Sequence, residues 1–373
     1  MTKRKDTKAK AFTCRGAAAL ITAALLTAAL LFTGCPQSPE NQTQNPSVPP
    51  GPDPNLRIED GVLKGYNETP SGALVIPAGV TEIAGEVFSD CTGLTQVDFS
   101  QCASLTKIGA GAFASCRGLM QLNLPASLEM LDSYAFYGCT KITGRVILPA
   151  NLKTIANYAF YSCEKVDAFD FSQCTRITKI GDSAFRHCSK ITTVNLPKSL
   201  TEIAGNTFVG CTELETLTVQ PGGDLIEESG IIYNSGKTKL LCSVPKVTSV
   251  SFPTGLKEIV GGAFQDCIGL TQLNLPVSLE TIGNDTFSNC TKITGTVVLP
   301  ANLKTIGSFA FYGCNKVDAF DFSQCTQLTS IDRNAFSSCK EEAVYKVKTG
   351  SGIKTLLLDS HSGIKASQIT EVP

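Results

Sequence analysis

The chain of 373 residues has no tryptophan, three methionines and only two histidines, His187 and His361. Neither histidine has a second His at metal-ligand spacing, and none of the 16 cysteines forms a CxxC pair. Zinc ribbons and thioredoxin-type redox sites need such pairs, because two soft ligands must reach one point together. Both classes are therefore excluded. Charge is also modest, at 17% of residues. The first 34 residues hold six basic groups and one acidic group, leaving 26 basic and 32 acidic residues and a net charge of −6 beyond them. Nucleic-acid binders carry a basic footprint, so no nucleic-acid partner is expected. Gly109-Ala110-Gly111 lacks the third Gly and the Lys of a phosphate-binding loop. No nucleophile, acid–base pair or cofactor motif emerges, so the chain is expected to be neither an enzyme nor a cofactor binder.

What the sequence does have is a repeat. In Gly118 to Cys139 the apolar residues fall at Leu119, Leu122, Leu124, Leu128, Leu131, Phe136 and Cys139. Phe recurs in the same setting at 88, 113, 136, 160, 185, 208, 264, 287, 311 and 336, with spacings of 23 to 25 except for one of 56. Each Phe has an aliphatic residue five places before it and Cys three places after it. A period of this size with an L-x-x-L-x-L core signals a leucine-rich repeat solenoid. The expected fold is β-rich α/β, with 11–12 coils. Parallel strands form one side, and short helical turns or loops carry Phe and Cys on the other. Phe and Cys are three apart, so one helical turn puts both on the core face. The repeat explains ten of the 16 cysteines. In-register coils sit about 4.8 Å apart, wider than the roughly 3.5–4.5 Å a disulfide needs between Cβ atoms. The cysteines from Cys91 to Cys339 are therefore expected to be buried free thiols acting as small hydrophobes.

Before the repeats comes a leader. A basic stretch to Arg15 precedes an apolar run from Ala17 to Phe32, the pattern of an export signal over 1–34. It is shorter than the roughly 20 apolar residues a membrane span requires. Gly34-Cys35 ends the run and resembles a bacterial lipobox, with Phe32 standing where Leu is usual. By that resemblance Cys35 is lipidated and anchors the chain to a membrane. A plain signal peptide cut after Gly34 is the alternative. Residues 35–56 are rich in Pro, Gln, Asn and Ser and cannot form a core. At about 3.1 Å per residue such a tether holds the body ~50 Å or more from a membrane.

The repeat array spans 57–343. Asp60-Gly61 lies between short apolar runs and predicts a capping hairpin at its start, which an open solenoid end requires. Coils of 25 residues carry D-F-S-Q-C at 98–102, 170–174 and 321–325; those of 23 residues carry L-P-x-x-L instead. Residues 118–188 align without gaps to 269–339, with roughly two-thirds of positions identical. This is an internal duplication. Between the copies, 218–259 lacks the Phe marker and contains two short apolar runs around Asn234-Ser235-Gly236, which predicts a hairpin-bearing coil. Residues 344–373 read as a degenerate C-terminal cap.

These residues resemble the BspA-like, treponemal class of leucine-rich repeat. Its marks are an LxxLxLPxxLxxIxxxAFxxC unit and interspersed hairpin coils such as Gly230 to Tyr233. The resemblance covers about residues 57–343. It implies a bacterial surface or secreted protein that mediates adhesion by binding host matrix proteins or other cells, and it brings no catalytic residues.

The residues themselves point to a site. Alternation sends Leu122 and Leu124 inward and Asn123 outward. The equivalent outward positions, among them Asp98, Asn123, Asp170, Asn195, Asn274 and Asp321, form a stripe without His, Lys or Arg. The stripe is expected to bind a protein with basic segments. Asp170→Arg and Asp321→Arg are expected to weaken binding while leaving stability unchanged, both side chains facing solvent. A calcium role for the three Asp is disfavoured because they sit on separate coils. The expected function is a lipid-anchored binding protein of the cell envelope, on the outer surface. The alternative is a periplasmic scaffold without a host ligand.

Overall fold

The computed structural model describes residues 54–373. The leader, Cys35 and most of the tether lie outside the described residues. The described part is a parallel-strand solenoid of about 14 turns. Each coil has three sides, and each side follows from a different part of the repeat.

The first side is the expected strand. It runs through Gly72–Val75, Leu94–Asp98, Gln121–Leu122, Gly144–Ile147, Val166–Asp170, Thr193–Leu196 and Thr216–Val219, and resumes at Gly295–Val298 and Val317–Asp321. All pairings along it are parallel. Val97, Leu122, Val146, Phe169 and Val194 are buried and their neighbours point out.

The second side is a ladder of two-residue strands built on the aliphatic residue five places before Phe. Glu82–Ile83, Lys107–Ile108, Met130–Leu131, Thr154–Ile155, Lys179–Ile180 and Glu202–Ile203 pair in parallel. The aliphatic member of each pair is buried. The outward member is often charged, and neighbouring coils exchange charge, as in Glu82–Lys107 at 3.0 Å and Lys179–Glu202 at 3.0 Å.

The third side takes the loop form of the two that the repeat allows. The Phe-x-x-Cys runs are chains of tight turns, not helix. Residues two before and two after Phe take left-handed φ: Tyr134 (60°) and Gly138 (68°) flank Phe136, and Tyr158 (58°) and Ser162 (55°) flank Phe160. This bends the chain so that alternate N–H groups face the next coil. Tyr134, Phe136 and Gly138 donate to the carbonyls of Asn157, Ala159 and Tyr161 at 2.9, 2.8 and 2.7 Å. A helical turn would spend these donors inside itself and leave the stack unpaired on this side. Phe and Cys still reach the core together, because the Cys139 N–H closes a turn on the Phe136 carbonyl at 3.3 Å.

Inside, the phenylalanines stack. Ring centroids are 5.2 Å apart for Phe113–Phe136, 5.6 Å for Phe136–Phe160 and 5.7 Å for Phe160–Phe185, with interplanar angles of 1–7°. The cysteines are free, and all but Cys339 are buried among the 14 described. Eight of the thiols that follow Phe by three places donate to the Phe carbonyl of the preceding coil, among them Cys116 to Phe88 at 3.0 Å, Cys139 to Phe113 at 3.1 Å and Cys290 to Phe264 at 3.2 Å. That carbonyl already accepts the N–H of its own coil's Cys, so the thiol fills its second lone pair. A small apolar side chain with one weak donor is what the position needs. Burial raises the thiol pKa of Cys116 and Cys211 to about 12.

At the N-terminus Leu56–Glu59 and Val62–Tyr66 form an antiparallel hairpin through Asp60 and Gly61, both at positive φ. In the insert, Leu225–Glu228, Ile231–Asn234 and Lys239–Ser243 form an antiparallel sheet. Leu240 then pairs in parallel with Ile259 and returns the chain to the second ladder. Residues 344–373 do more than close the end. Val344–Lys348 pairs in parallel with Val317–Asp321, and Ile369–Val372 with Val344–Lys348. Two further coils are thus added, with a helix at Ile353–Asp359 that buries Ile353 and Leu357.

Candidate functional site

Register aligns the outward stripe into one row. Val75 lies beside Asp98, Ile147 beside Asp170, Asn195 beside Thr218 and Val298 beside Asp321. The repeat places Asn123, Ser251 and Asn274 in the same row. It continues where the sequence reading stopped, through Lys346 beside Asp321 and Thr370 beside Lys346. The row therefore has 13 positions and does contain a lysine. It was missed because the last coils lack the Phe marker. Asn123, Asn195 and Asn274 are exposed, as are Ile147 and Val298 at 52% and 50%.

The aspartates behave differently from the asparagines. Each opens a D-F-S-Q-C coil, and each accepts from the backbone N–H two residues on: Asp98 from Ser100 at 2.8 Å, Asp170 from Ser172 at 2.8 Å, Asp321 from Ser323 at 2.9 Å. These Asx turns carry the chain off the strand where no Pro does so. Asp170 also meets Arg145 of the neighbouring coil, Nη1 to Oδ2 at 3.0 Å, and its side chain is 18% exposed. Ser172, through its backbone and hydroxyl, holds the Asp170 carboxyl below the usual carboxylate range, with Arg145 adding to the effect. The expectation that Asp170 and Asp321 are free solvent-facing groups is thus corrected. Both serve the turn, and Asp170 is neutralised by a neighbour.

Shallow cavities follow the rim where the strand meets the next turn. One of about 490 Å³ is lined by Asp98, Ser100, Asn123, Pro125 and Ser127. Another of about 300 Å³ is lined by Asn274, Leu275, Val277, Val298 and Pro300. A third, of about 230 Å³, gathers Arg145, Asp170, Asn195 and Gln220. All six stripe residues except Asp321 line one of them. Among the described residues no three of His, Cys, Asp and Glu converge as metal ligands would.

The turn side holds a second surface that the sequence reading overlooked. Tyr134 stacks on Tyr158 and Tyr137 on Tyr161, both at 4.9 Å. Within each coil the two tyrosines are 5.7 and 5.8 Å apart, and His187 sets its edge against Tyr161 at 5.3 Å. Tyr134 is 44% exposed. Partial burial and the Arg186 charge lower the His187 pKa. The signal was present in the sequence as Y-A-F-Y at 134–137 and 158–161, where attention went to the Phe alone. Cys35 lies outside the described residues. Among those residues no helix is long and apolar enough to cross a membrane.

Comparison with known proteins agrees with this architecture. Residues 64–178, 143–241 and 234–362 match the BspA type Leucine rich repeat region, in six copies. A search of curated proteins returned no match. Among solved structures, a leucine rich cell surface protein of Faecalibacterium prausnitzii A2-165 superimposes with a TM-score of 0.61 at 19% identity, covering 82% of this chain and 94% of its own. A leucine-rich repeat protein of Eubacterium ventriosum gives 0.54 at 19% identity, covering 84% and 80%. The pneumococcal vaccine antigen PcpA gives 0.52 at 19% identity, covering 81% and 79%. At these identities the likeness is one of fold. The family match spans most of the described residues, and the chain belongs to the BspA-type leucine-rich repeat family.

Proposed function

We propose that this is a non-enzymatic, lipid-anchored surface protein whose strand face binds protein. Anchoring rests on Gly34-Cys35 and the Pro-rich tether that follows. Binding rests on one observation above others: the row of 13 outward positions, short-chained at all but Lys346 and held in register along the strands. Short side chains let a partner approach the sheet closely and lose little rotamer entropy on contact. Adhesion to host matrix or to other cells is the role this supports. The rim cavities suit small side chains of a partner, not a reacting substrate, because they are open and have no convergent acid–base groups.

The tyrosine quartet supports a second reading. Tyr is enriched at binding hot spots, and here Tyr134 and Tyr158 occupy left-handed positions held elsewhere in the array by residues such as Gly111, Ser183, Asp285, Phe309 and Asn334. The test uses intact cells and host matrix proteins. Asn123→Arg with Asn274→Arg is expected to abolish matrix capture, while Tyr134→Ser with Tyr158→Ser leaves it intact. The reverse pattern assigns binding to the turn face. Cys35→Ala is expected to release the chain from the membrane fraction and abolish acyl labelling. Protease treatment of intact cells should cleave the anchored chain. Protection would move it to the periplasmic leaflet.

A further inference from the structure

The strand-face row is complementary to itself when reversed. Thirteen positions put Thr218 at the centre, so position n counted from one end faces position n counted from the other. On that rule Asp98 faces Lys346, Ile147 faces Val298, Asp170 faces Asn274, and Asn123 faces Asp321. Every carboxylate in the row thus meets a lysine or an amide donor. The two exposed aliphatic side chains of the duplicated blocks meet each other. Among the described residues neither Asp98 nor Lys346 forms a salt bridge, and Asp98 accepts only the Ser100 N–H of its own turn. Reversal gives each of them an ion-pair partner. The parallel arrangement sets every position on itself and brings Asp98, Asp321 and Lys346 each onto its own copy, which like-charge repulsion disfavours.

We propose that a second copy of this chain docks strand face to strand face, with the two solenoids antiparallel and a two-fold axis at Thr218. This rests on the strand-face reading above and names the partner. Such an interface is isologous, as a two-fold dimer requires. Thirteen coils at about 4.8 Å give a contact about 60 Å long. A strip of that length, two side chains wide, falls near the lower end of stable interfaces, about 1,200 Å² in total. Formed between cells, the contact is a homophilic adhesive bond; formed on one membrane, it pairs neighbouring anchors.

The test places a thiol on the axis. In the full chain held in detergent, Thr218→Cys is expected to give a disulfide-linked dimer on mild oxidation. Asn123→Cys alone should not. Asn123→Cys combined with Asp321→Cys should, because reversal brings those two positions together. The wild-type chain oxidised in parallel accounts for any bond through Cys14 or Cys35. Sedimentation then reads the ion pair. Asp98→Lys and Lys346→Asp are each expected to raise the dimer dissociation constant at least about tenfold, and the two combined to restore it. Circular dichroism of each variant shows that it folds. A chain that remains monomeric, with no Thr218→Cys dimer, overturns the proposal. So does a dimer that forms equally well in Asp98→Lys. If a monomeric chain still captures a foreign protein and Asn123→Arg abolishes that capture, the self-pairing fails while the strand-face reading survives. If neither self-association nor capture responds to strand-face changes, both fail.

Discussion

Residues 118–188 and 269–339 are two copies of one segment, and they have diverged unevenly. Inside they are nearly the same: Phe136, Phe160 and Phe185 stack as Phe287, Phe311 and Phe336 do, at 5.3–5.7 Å. Outside they differ. The earlier copy has Tyr134, Tyr137, Arg145 and His187 where the later one has Asp285, Ser288, Thr296 and Ser338. The core tolerates little change because every coil must fit the coil on each side. A surface position is bounded by solvent on one side and so is less constrained, and the two copies share an interior while presenting different faces. Each experiment below converts or tests one copy against the other.

The largest effect concerns the thiols, four in each copy: Cys139, Cys163, Cys174 and Cys188, and Cys290, Cys314, Cys325 and Cys339. Burial raises their pKa in the fold; Cys325 and Cys339 reach about 12. In the unfolded chain a thiol ionises near pH 8.5. A group whose pKa is raised by folding contributes its full stability below the unfolded value and loses it as pH climbs towards the folded value. Between about pH 8.5 and 12 the reduced protein should therefore destabilise steeply, by about 2 kcal/mol at pH 10 for a thiol such as Cys325 or Cys339. Urea unfolding with reductant at pH 7 and pH 10 measures this. Changing the four thiols of either copy to Ala should shrink the pH 7 to pH 10 difference, by a similar amount for both. A pH-independent stability would show that these thiols are not buried and protonated. Native thiols should also resist labelling that denaturation alone permits.

Next come the stacked rings. Phe136→Ala and Phe287→Ala should each cost about 3–5 kcal/mol, the range for a large buried side chain replaced by a cavity. Their costs should agree closely, since both rings lie between two stacked neighbours. A large inequality would mean that the copies do not share one interior.

How much of this was readable beforehand depended on where each signal lies. The repeat and its buried set were plain, because Leu, Ile, Phe and Cys recur at fixed offsets and burial alone dictates them. The outward row was readable as alternation within a strand. Lys346 and Thr370 were not, because Val344–Lys348 joins the row by register and has no Phe-Cys turn to mark it. Conformation of the turns was left between helical turn and loop for a different reason. A Phe-x-x-Cys spacing fits one helical turn and a tight turn equally, and only the demand for donors facing the next coil decides between them. The roles of Asp98, Asp170 and Asp321 hid behind a sound inference about direction. The strand does send them outward, but the Asx turn that follows draws each carboxylate back to its own backbone.

That local role separates the two copies by a smaller amount. Asp170→Ala and Asp321→Ala each lose a turn hydrogen bond, about 1 kcal/mol. Asp170→Ala also loses Arg145, an ion pair whose guanidinium is 65% exposed and which is worth ~0.5 kcal/mol or less after solvent screening. Arg145→Thr, which converts the earlier copy to the later one, should cost no more than that increment. Thermal unfolding of the three variants orders them as Asp170→Ala, Asp321→Ala, Arg145→Thr. A destabilisation by Arg145→Thr that equals Asp170→Ala would show that the ion pair, not the turn, is what the aspartate supports.

At Tyr134 opposing terms leave only a small expected effect, and its smallness is useful. Tyr134 sits at φ 60°, a left-handed conformation that costs an ordinary L-residue about 1–2 kcal/mol and costs Gly little. Its stack on Tyr158 returns roughly 0.5–1.5 kcal/mol. Tyr134→Gly therefore relieves one term and removes the other. It also adds freedom to the unfolded chain, which offsets part of the relief by about 0.4–1 kcal/mol. The terms largely cancel, and net stability should move by no more than ~1.5 kcal/mol. Nothing in folding then calls for a large aromatic ring at this position, and Asp285 fills the matching place in the later copy. The variant is a clean probe of the turn face, because lost binding cannot be ascribed to lost structure. Retained matrix capture by Tyr134→Gly, beside lost capture by Asn123→Arg, assigns binding to the strand row. The opposite result would make the tyrosines the reason the two copies diverged.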